Sequence, residues 1–121
     1  MVSQAALEWL ERAEKDLRLA EHDLAGGFAD AAAFNAQQAA EKALKAVCLA
    51  RSGELHRMHD LVLLGRLVGL DGQLLSECAS INEFYASARY PDVGAPVSFK
   101  AAEGAIRVAE KVFLWSKKQV V

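Results

Sequence analysis

The stretch FNAQQAAEKALKAVCLA, residues 34–50, predicts the fold of this chain more clearly than any other segment. It reads as strongly helical, because alanine, leucine, lysine, glutamate and glutamine all favour the helix. Its alanines are small enough for the backbone of a second helix to approach closely, while Phe34, Leu44 and Val47 supply apolar bulk. We therefore expect a long helix that packs against other helices on several sides.

A stripe of polar residues runs along the same predicted helix. Gln38, Glu41, Lys42 and Lys45 are three and four positions apart, so they share one helix face. A packed helix usually keeps polar groups where water, a ligand or another subunit meets it. The spacing of Glu41 and Lys45 also fits a weak surface salt bridge, and the sequence leaves both interpretations open.

Length and charge limit the class of protein. The 121 residues fit one domain, which we place at residues 1–121. Hydrophobic residues make up 53% and charged residues 25%, and the formal net charge is -2. This charge gives no overall attraction to nucleic acid, so we expect no DNA binding, and any RNA contact must come from a local basic patch.

The cysteines and histidines do not predict a disulfide or a metal centre. Cys48 and Cys78 lie in apolar periodic segments without a CxxC spacing, so we expect two buried free thiols. His56 and His59, with Asp60 directly after, could hold a metal from one helix turn, but a further ligand at a suitable spacing is missing, and we expect neither a metal nor a cofactor. With no leader-like opening and no apolar run of about 20 residues, we expect a cytoplasmic protein without membrane spans.

Amphipathic periodicity predicts helices at about residues 3–25, 28–51, 59–70, 73–87 and 99–118. Glycines after residues 25 and 52 mark helix ends, whereas Asp60 and Ser98 suit helix starts. Both prolines fall in residues 90–97, which predicts a loop. The sequence therefore predicts an all-α fold, an up-and-down antiparallel bundle of four to five helices in a single domain.

The string Arg89-Tyr90-Pro91-Asp92 offers the chemistry of a binding loop. Arginine can hold a phosphate or carboxylate through two hydrogen bonds, tyrosine offers a stacking face, and proline restricts the loop before binding. The alternative is an ordinary helix end, in which Arg89 binds carbonyl groups and Asp92 caps a turn.

The order of these features resembles the HEPN domain family of small helical bundles. The resemblance rests on the run from Ala33 to Ala46 (AFNAQQAAEKALKA), on His59-Asp60-Leu61, on Tyr85 with Arg89-Tyr90-Pro91-Asp92, and on Ala109-Glu110. It implies a bundle that forms a homodimer and gathers these residues around a cleft for a nucleotide or RNA. It also implies a partner, a minimal nucleotidyltransferase encoded separately, in a toxin–antitoxin type of system.

Ribonucleases of this family use an arginine followed after four to six residues by a histidine. After Arg89 the corresponding positions hold Gly94, Ala95 and Pro96, so the resemblance favours binding over catalysis and gives no catalytic residue. Arg51 and His56 have a matching spacing, but a predicted helix end separates them.

The leading hypothesis is a HEPN-like binding module in which Lys45 and Arg89 meet phosphate. Its full set of ligand-binding residues is Gln38, Glu41, Lys45, His59, Tyr85, Arg89, Tyr90 and Asp92. One alternative is a metal-independent endoribonuclease that uses Arg89 or Arg51 with His56 or His59. The other is a purely structural assembly partner, whose polar stripe is a subunit interface.

Overall fold

The computed structural model describes residues 2–88, 90 and 96–121, and within them it contains helices and no strand. In chain order the helices are α1 (Gln4–Ala25), α2 (Ala29–Ser52), α3 (Leu61–Val68), α4 (Gly72–Ile81), α5 (Phe84–Ser87) and α6 (Phe99–Val120). The prediction of an all-α bundle is confirmed. In the part of the chain described, no helix has the length and apolarity that crossing a membrane requires.

Helix α2 is the centre of the bundle and packs mainly on α1 and α6. The contact surface consists largely of small side chains, and Ala36, Ala39, Ala40, Ala43 and Ala46 are all fully buried. Small residues allow helix backbones to lie close together, so the alanine content of α2 determines how near α1 and α6 come. This packing holds the polar residues of α2 in fixed positions.

The helix ends follow the predicted signals. The Ser98 side chain accepts a hydrogen bond from the Ala101 N–H at 3.0 Å, and Asp60 accepts from Val62 at 2.9 Å, which satisfies N–H groups of the first helical turn. Gly53 ends α2 with φ of 76°, a left-handed conformation that favours glycine. The predicted starts of the third and last helices are thereby explained.

The predicted helix at 73–87 is interrupted, because α4 ends at Ile81 and the short α5 begins at Phe84. The Asn82 side chain accepts a hydrogen bond from the Leu61 N–H at 2.9 Å and donates one to Asp60 at 3.0 Å. Asn82 thus ties the end of α4 to the start of α3. The interruption sets the direction of α5, which carries Tyr85.

Both cysteines are buried and unpaired. Burial away from water raises the pKa of the Cys78 thiol to about 12 and also raises the pKa of Cys48. Both side chains are therefore neutral thiols that act as small apolar groups in the core.

The close packing of α2 gives a direct test. Ala43→Leu adds bulk at a fully buried position, and we expect it to lower the free energy of unfolding by about 1–3 kcal/mol or more. Ala50→Leu is the matched control, because Ala50 lies on the same helix but is exposed. Chemical denaturation of both variants measures the difference, and equal stability would contradict the packing described for α2.

Candidate functional site

Five polar residues form a connected group on the wall of the bundle. We call Gln37, Gln38, Glu41, Lys45 and His59 the Glu41 cluster. The first four project from α2, and His59 lies just before α3. Gln37, Glu41 and Lys45 are 0%, 3% and 5% exposed, so most of this group lies beneath the surface.

The Glu41 and Lys45 side chains form a buried ion pair, with Lys45 Nζ 2.9 Å from Glu41 Oε2. Their side chains are 4% and 7% exposed, so the pair is not the surface salt bridge that the spacing alone suggested. Burying two charges costs free energy that the mutual attraction and further hydrogen bonds must offset. Lys45 Nζ also lies 5.9 Å from the centre of the Trp9 ring, a cation–π arrangement that helps to hold the ammonium.

The His59 ring is the exposed member of the cluster. Its Nδ1 lies 3.1 Å from each Glu41 carboxylate oxygen, while its side chain remains 47% exposed. A carboxylate only accepts hydrogen bonds, so Nδ1 of His59 carries the proton. The other ring nitrogen, Nε2, has no hydrogen-bond partner among the described residues. Gln37 fixes the loop here, because its Nε2 donates to the His59 carbonyl oxygen at 3.1 Å.

Two further aromatic rings, one from α5 and one from α2, support His59. Tyr85 stacks on His59 with ring centres 4.0 Å apart and planes 16° apart. Phe34 of α2 lies behind Tyr85, with ring centres 6.3 Å apart and a tilt of 37°. We call Phe34, Tyr85 and His59 the aromatic row, and it presents His59 at the protein surface.

The predicted polar stripe divides between two neighbours. Gln38 stays with the Glu41 cluster, since its Nε2 donates to Gln37 Oε1 at 2.8 Å. Lys42 instead pairs with Asp16 of α1. The interpretation of all four stripe residues as one surface was wrong in this respect, because α1 covers the side of α2 that carries Lys42.

The structure therefore brings together Gln38, Glu41, Lys45, His59 and Tyr85 of the predicted site. Tyr90 is 46% exposed, and its backbone N–H donates to the Ala86 carbonyl at 3.1 Å. Arg89 and Asp92 lie outside the described residues, so their predicted roles stay predictions.

Sequence reasoning missed Gln37 and Trp9. Gln37 stands four positions before Glu41, and this helical spacing is a signal that could have identified it. Trp9 lies on another helix, and nothing in the sequence indicates that it meets Lys45.

Arg51 joins three helices in the structure. Its guanidinium donates to the Val68 carbonyl at 2.6 Å and to Gln119 Oε1 at 3.0 Å, which ties the end of α2 to α3 and α6. Among the described residues, His56 and His59 included, no group of three or more His, Cys, Asp or Glu side chains could hold a metal ion.

A sequence model of the HEPN domain matches residues 6–120, nearly the whole chain. The chain belongs to the HEPN domain family. This family is associated with nucleotide- and RNA-related functions. A search among curated proteins found no match.

Two solved structures resemble this HEPN chain over nearly their full length. TT1696 from Thermus thermophilus is 32% identical with a TM-score of 0.87, and the match covers 97% of this chain and 99% of that one. ST0689, described as an archaeal HEPN homologue, is 32% identical with a TM-score of 0.80, and the match covers 96% of this chain and 98% of that one. The fold and its order of helices are thus shared across the full bundle.

The burial of the ion pair predicts a large effect of removing one partner. Lys45→Met leaves the Glu41 charge buried with only His59 and amide groups around it, and we expect a loss of about 3–5 kcal/mol in the free energy of unfolding. Adding Glu41→Gln to Lys45→Met removes that charge and should restore part of the loss. Chemical denaturation of the three proteins measures both effects.

Lys15→Met is the matched control for this prediction. Lys15 and Glu11 have the same spacing on α1, but their side chains are 71% and 70% exposed. We expect this change to stay within about 1 kcal/mol, because solvent screens exposed pairs. A Lys45→Met effect as small as that of Lys15→Met would show that the Glu41–Lys45 pair is not buried in solution.

Proposed function

We propose that this HEPN domain is a binding module for a nucleotide or a segment of RNA, and that the ligand base stacks on His59. The observation that carries this proposal is the aromatic row, which ends in a half-exposed ring fixed by the Glu41 carboxylate. Aromatic side chains, histidine included, are the usual stacking partners of unpaired bases. A ring that is already ordered also loses little side-chain entropy on binding.

The charges of the site favour contact with phosphate at a single point over attraction of phosphate by the whole surface. Lys45 neutralises Glu41 beneath the surface, so its ammonium supports the His59 ring and does not reach a phosphate in this arrangement. Contact with phosphate therefore falls to Arg89, whose guanidinium can bind it through two hydrogen bonds. Tyr90 offers a second ring, and Gln38 offers an amide at the edge of the cluster. The proposal also gives Asp92 the role of orienting the arginine.

The proposal extends to the cellular setting that the family resemblance implies. In it, the protein is cytoplasmic and forms a homodimer that brings two such sites together. A minimal nucleotidyltransferase is its partner in a toxin–antitoxin type of system.

Removing the His59 ring tests the proposal. We expect His59→Ala to weaken the binding of adenosine monophosphate and of single-stranded oligoadenylate by about 10-fold to 100-fold, the loss expected from one base–aromatic stack. Isothermal titration at low salt measures it. His59→Phe, which keeps a flat ring, should retain more affinity than His59→Ala.

His22→Ala is the matched control, because His22 lies exposed on α1, a different helix from those that form the aromatic row. It should bind both ligands like the unchanged protein. Equal affinities for the His59→Ala and His22→Ala variants would refute the proposed site, and an unchanged protein that binds neither ligand would refute the proposed function.

A second candidate function, metal-independent cleavage of RNA, is favoured by one specific observation. The buried Glu41 carboxylate orients the half-exposed His59 ring through Nδ1, and Nε2 has no hydrogen-bond partner among the described residues. This arrangement suits a general base, which needs a fixed tautomer and a nitrogen available for the proton of an attacking hydroxyl. In RNA that hydroxyl is the 2′-OH, and a cation such as Arg89 would stabilise the phosphate.

Incubation of the purified protein with single-stranded RNA in the presence of a chelator decides between binding and cleavage. If cleavage is the function, it should persist without metal and fall by about 100-fold or more in His59→Ala, while His22→Ala remains active. Cleavage that survives unchanged in His59→Ala would come from another source. Intact RNA in every sample would leave binding as the function supported.

A further inference from the structure

A surface pocket adjoins the Lys45 end of the Glu41–Lys45 pair, whereas His59 contacts the Glu41 end. Its volume is about 320 Å³, and it is lined by Glu8, Trp9, Arg12 and Lys42. We call it the Trp9 pocket. This volume is at the low end of the range for small-molecule sites, which suits a single planar group better than a larger ligand.

The lining of the Trp9 pocket combines a flat ring with groups that recognise a nucleotide. The indole of Trp9 is half-buried and offers a stacking surface. Arg12 is exposed and forms no ion pair or hydrogen bond with any of the described residues, unlike Arg18 and Arg51. Glu8 supplies an acceptor for the amino group of a base edge.

The Trp9 pocket is connected to the aromatic row through the ion pair. His59 Nδ1 lies 3.1 Å from Glu41 Oε2, Glu41 Oε2 lies 2.9 Å from Lys45 Nζ, and Lys45 Nζ lies 5.9 Å from the Trp9 ring centre. The two ring surfaces are thus neighbours on the wall of the bundle. A strand with one base on each surface crosses over the Glu41–Lys45 pair, whose charges cancel and do not repel its phosphates.

We propose that the Trp9 pocket is a second base subsite, and that the ligand of this protein is single-stranded RNA rather than a free mononucleotide. This inference rests on the proposed function, because the first base occupies His59. Trp9 stacks on the second base, and Arg12 holds the phosphate at that subsite. Lys42 remains bound to Asp16 and lines the pocket without a further role in the proposal.

Binding as a function of ligand length tests the inference. We expect single-stranded oligoadenylates to bind more tightly than adenosine monophosphate, and Trp9→Ala to lower oligoadenylate affinity by about tenfold more than it lowers mononucleotide affinity. Arg12→Ala should reduce the slope of log affinity against log salt by about one, as for loss of one phosphate contact. Titrations of the full chain measure both quantities.

The intrinsic fluorescence of the protein gives an independent readout. The chain contains two tryptophans, Trp9 and Trp115, so Trp115→Phe leaves Trp9 as the single indole. Oligoadenylate should quench the fluorescence of this variant strongly and adenosine monophosphate should not. The Trp9→Phe variant keeps a ring in the pocket, and its oligoadenylate affinity should exceed that of Trp9→Ala even if the alanine variant is destabilised.

The outcomes separate this inference from the proposed function. If His59→Ala weakens binding but Trp9→Ala and Arg12→Ala do not, the Trp9 pocket is no subsite and the proposed function stands. If Trp9→Ala alters the oligomeric state in ultracentrifugation and leaves oligoadenylate affinity unchanged, the pocket is a protein interface and the inference is overturned. If the unchanged protein binds neither ligand, both proposals fail.

Discussion

The candidate site depends on one carboxylate placed inside the wall of the bundle. Glu41 is 3% exposed, yet it accepts from Lys45 and from His59 and lies beside two glutamine amides. A buried carboxylate is tolerated only when its oxygens are satisfied, so each partner must be held in place. The helix α2 provides Lys45, and the loop before α3 provides His59. The position of that loop is therefore coupled to the charge of Glu41.

The same interaction bears on how a chain with a formal net charge of -2 could bind the nucleotide that we propose as its ligand. The ammonium of Lys45 is used within the protein, so the cluster has no excess positive charge to attract phosphate over a distance. Under the proposed function, recognition then comes from the rings on either side, whose stacking is sequence-tolerant and less dependent on salt than phosphate contacts. In the proposed mode of binding, the fold supplies fixed flat faces, and Arg12 and Arg89 supply the few charges.

The bundle could be predicted from the sequence, whereas the site could be predicted only in part. Helix periodicity, the glycine after α2 and the capping residues Asp60 and Ser98 are local signals, and they located the elements correctly. The interruption after α4 was missed because Asn82 acts through a contact with the start of α3, twenty-one positions away in sequence. Likewise, spacing places Glu41 beside Lys45, but burial of the pair depends on what packs over α2.

The difference between Lys42 and Lys45 shows what decides a residue's role on such a helix. The two lysines are three positions apart and share a face in projection, yet one is bound by Asp16 and the other by Glu41. Asp16 of α1 holds Lys42 at the edge of α1, whereas Glu41 of α2, the helix that carries both lysines, draws Lys45 inward. Because Trp9 covers the Lys45 ammonium and Lys42 lines the pocket beside Trp9, α1 forms one side of the site. The proposed binding surface is therefore built by α1, by the loop before α3 and by α5, with α2 as the support between them.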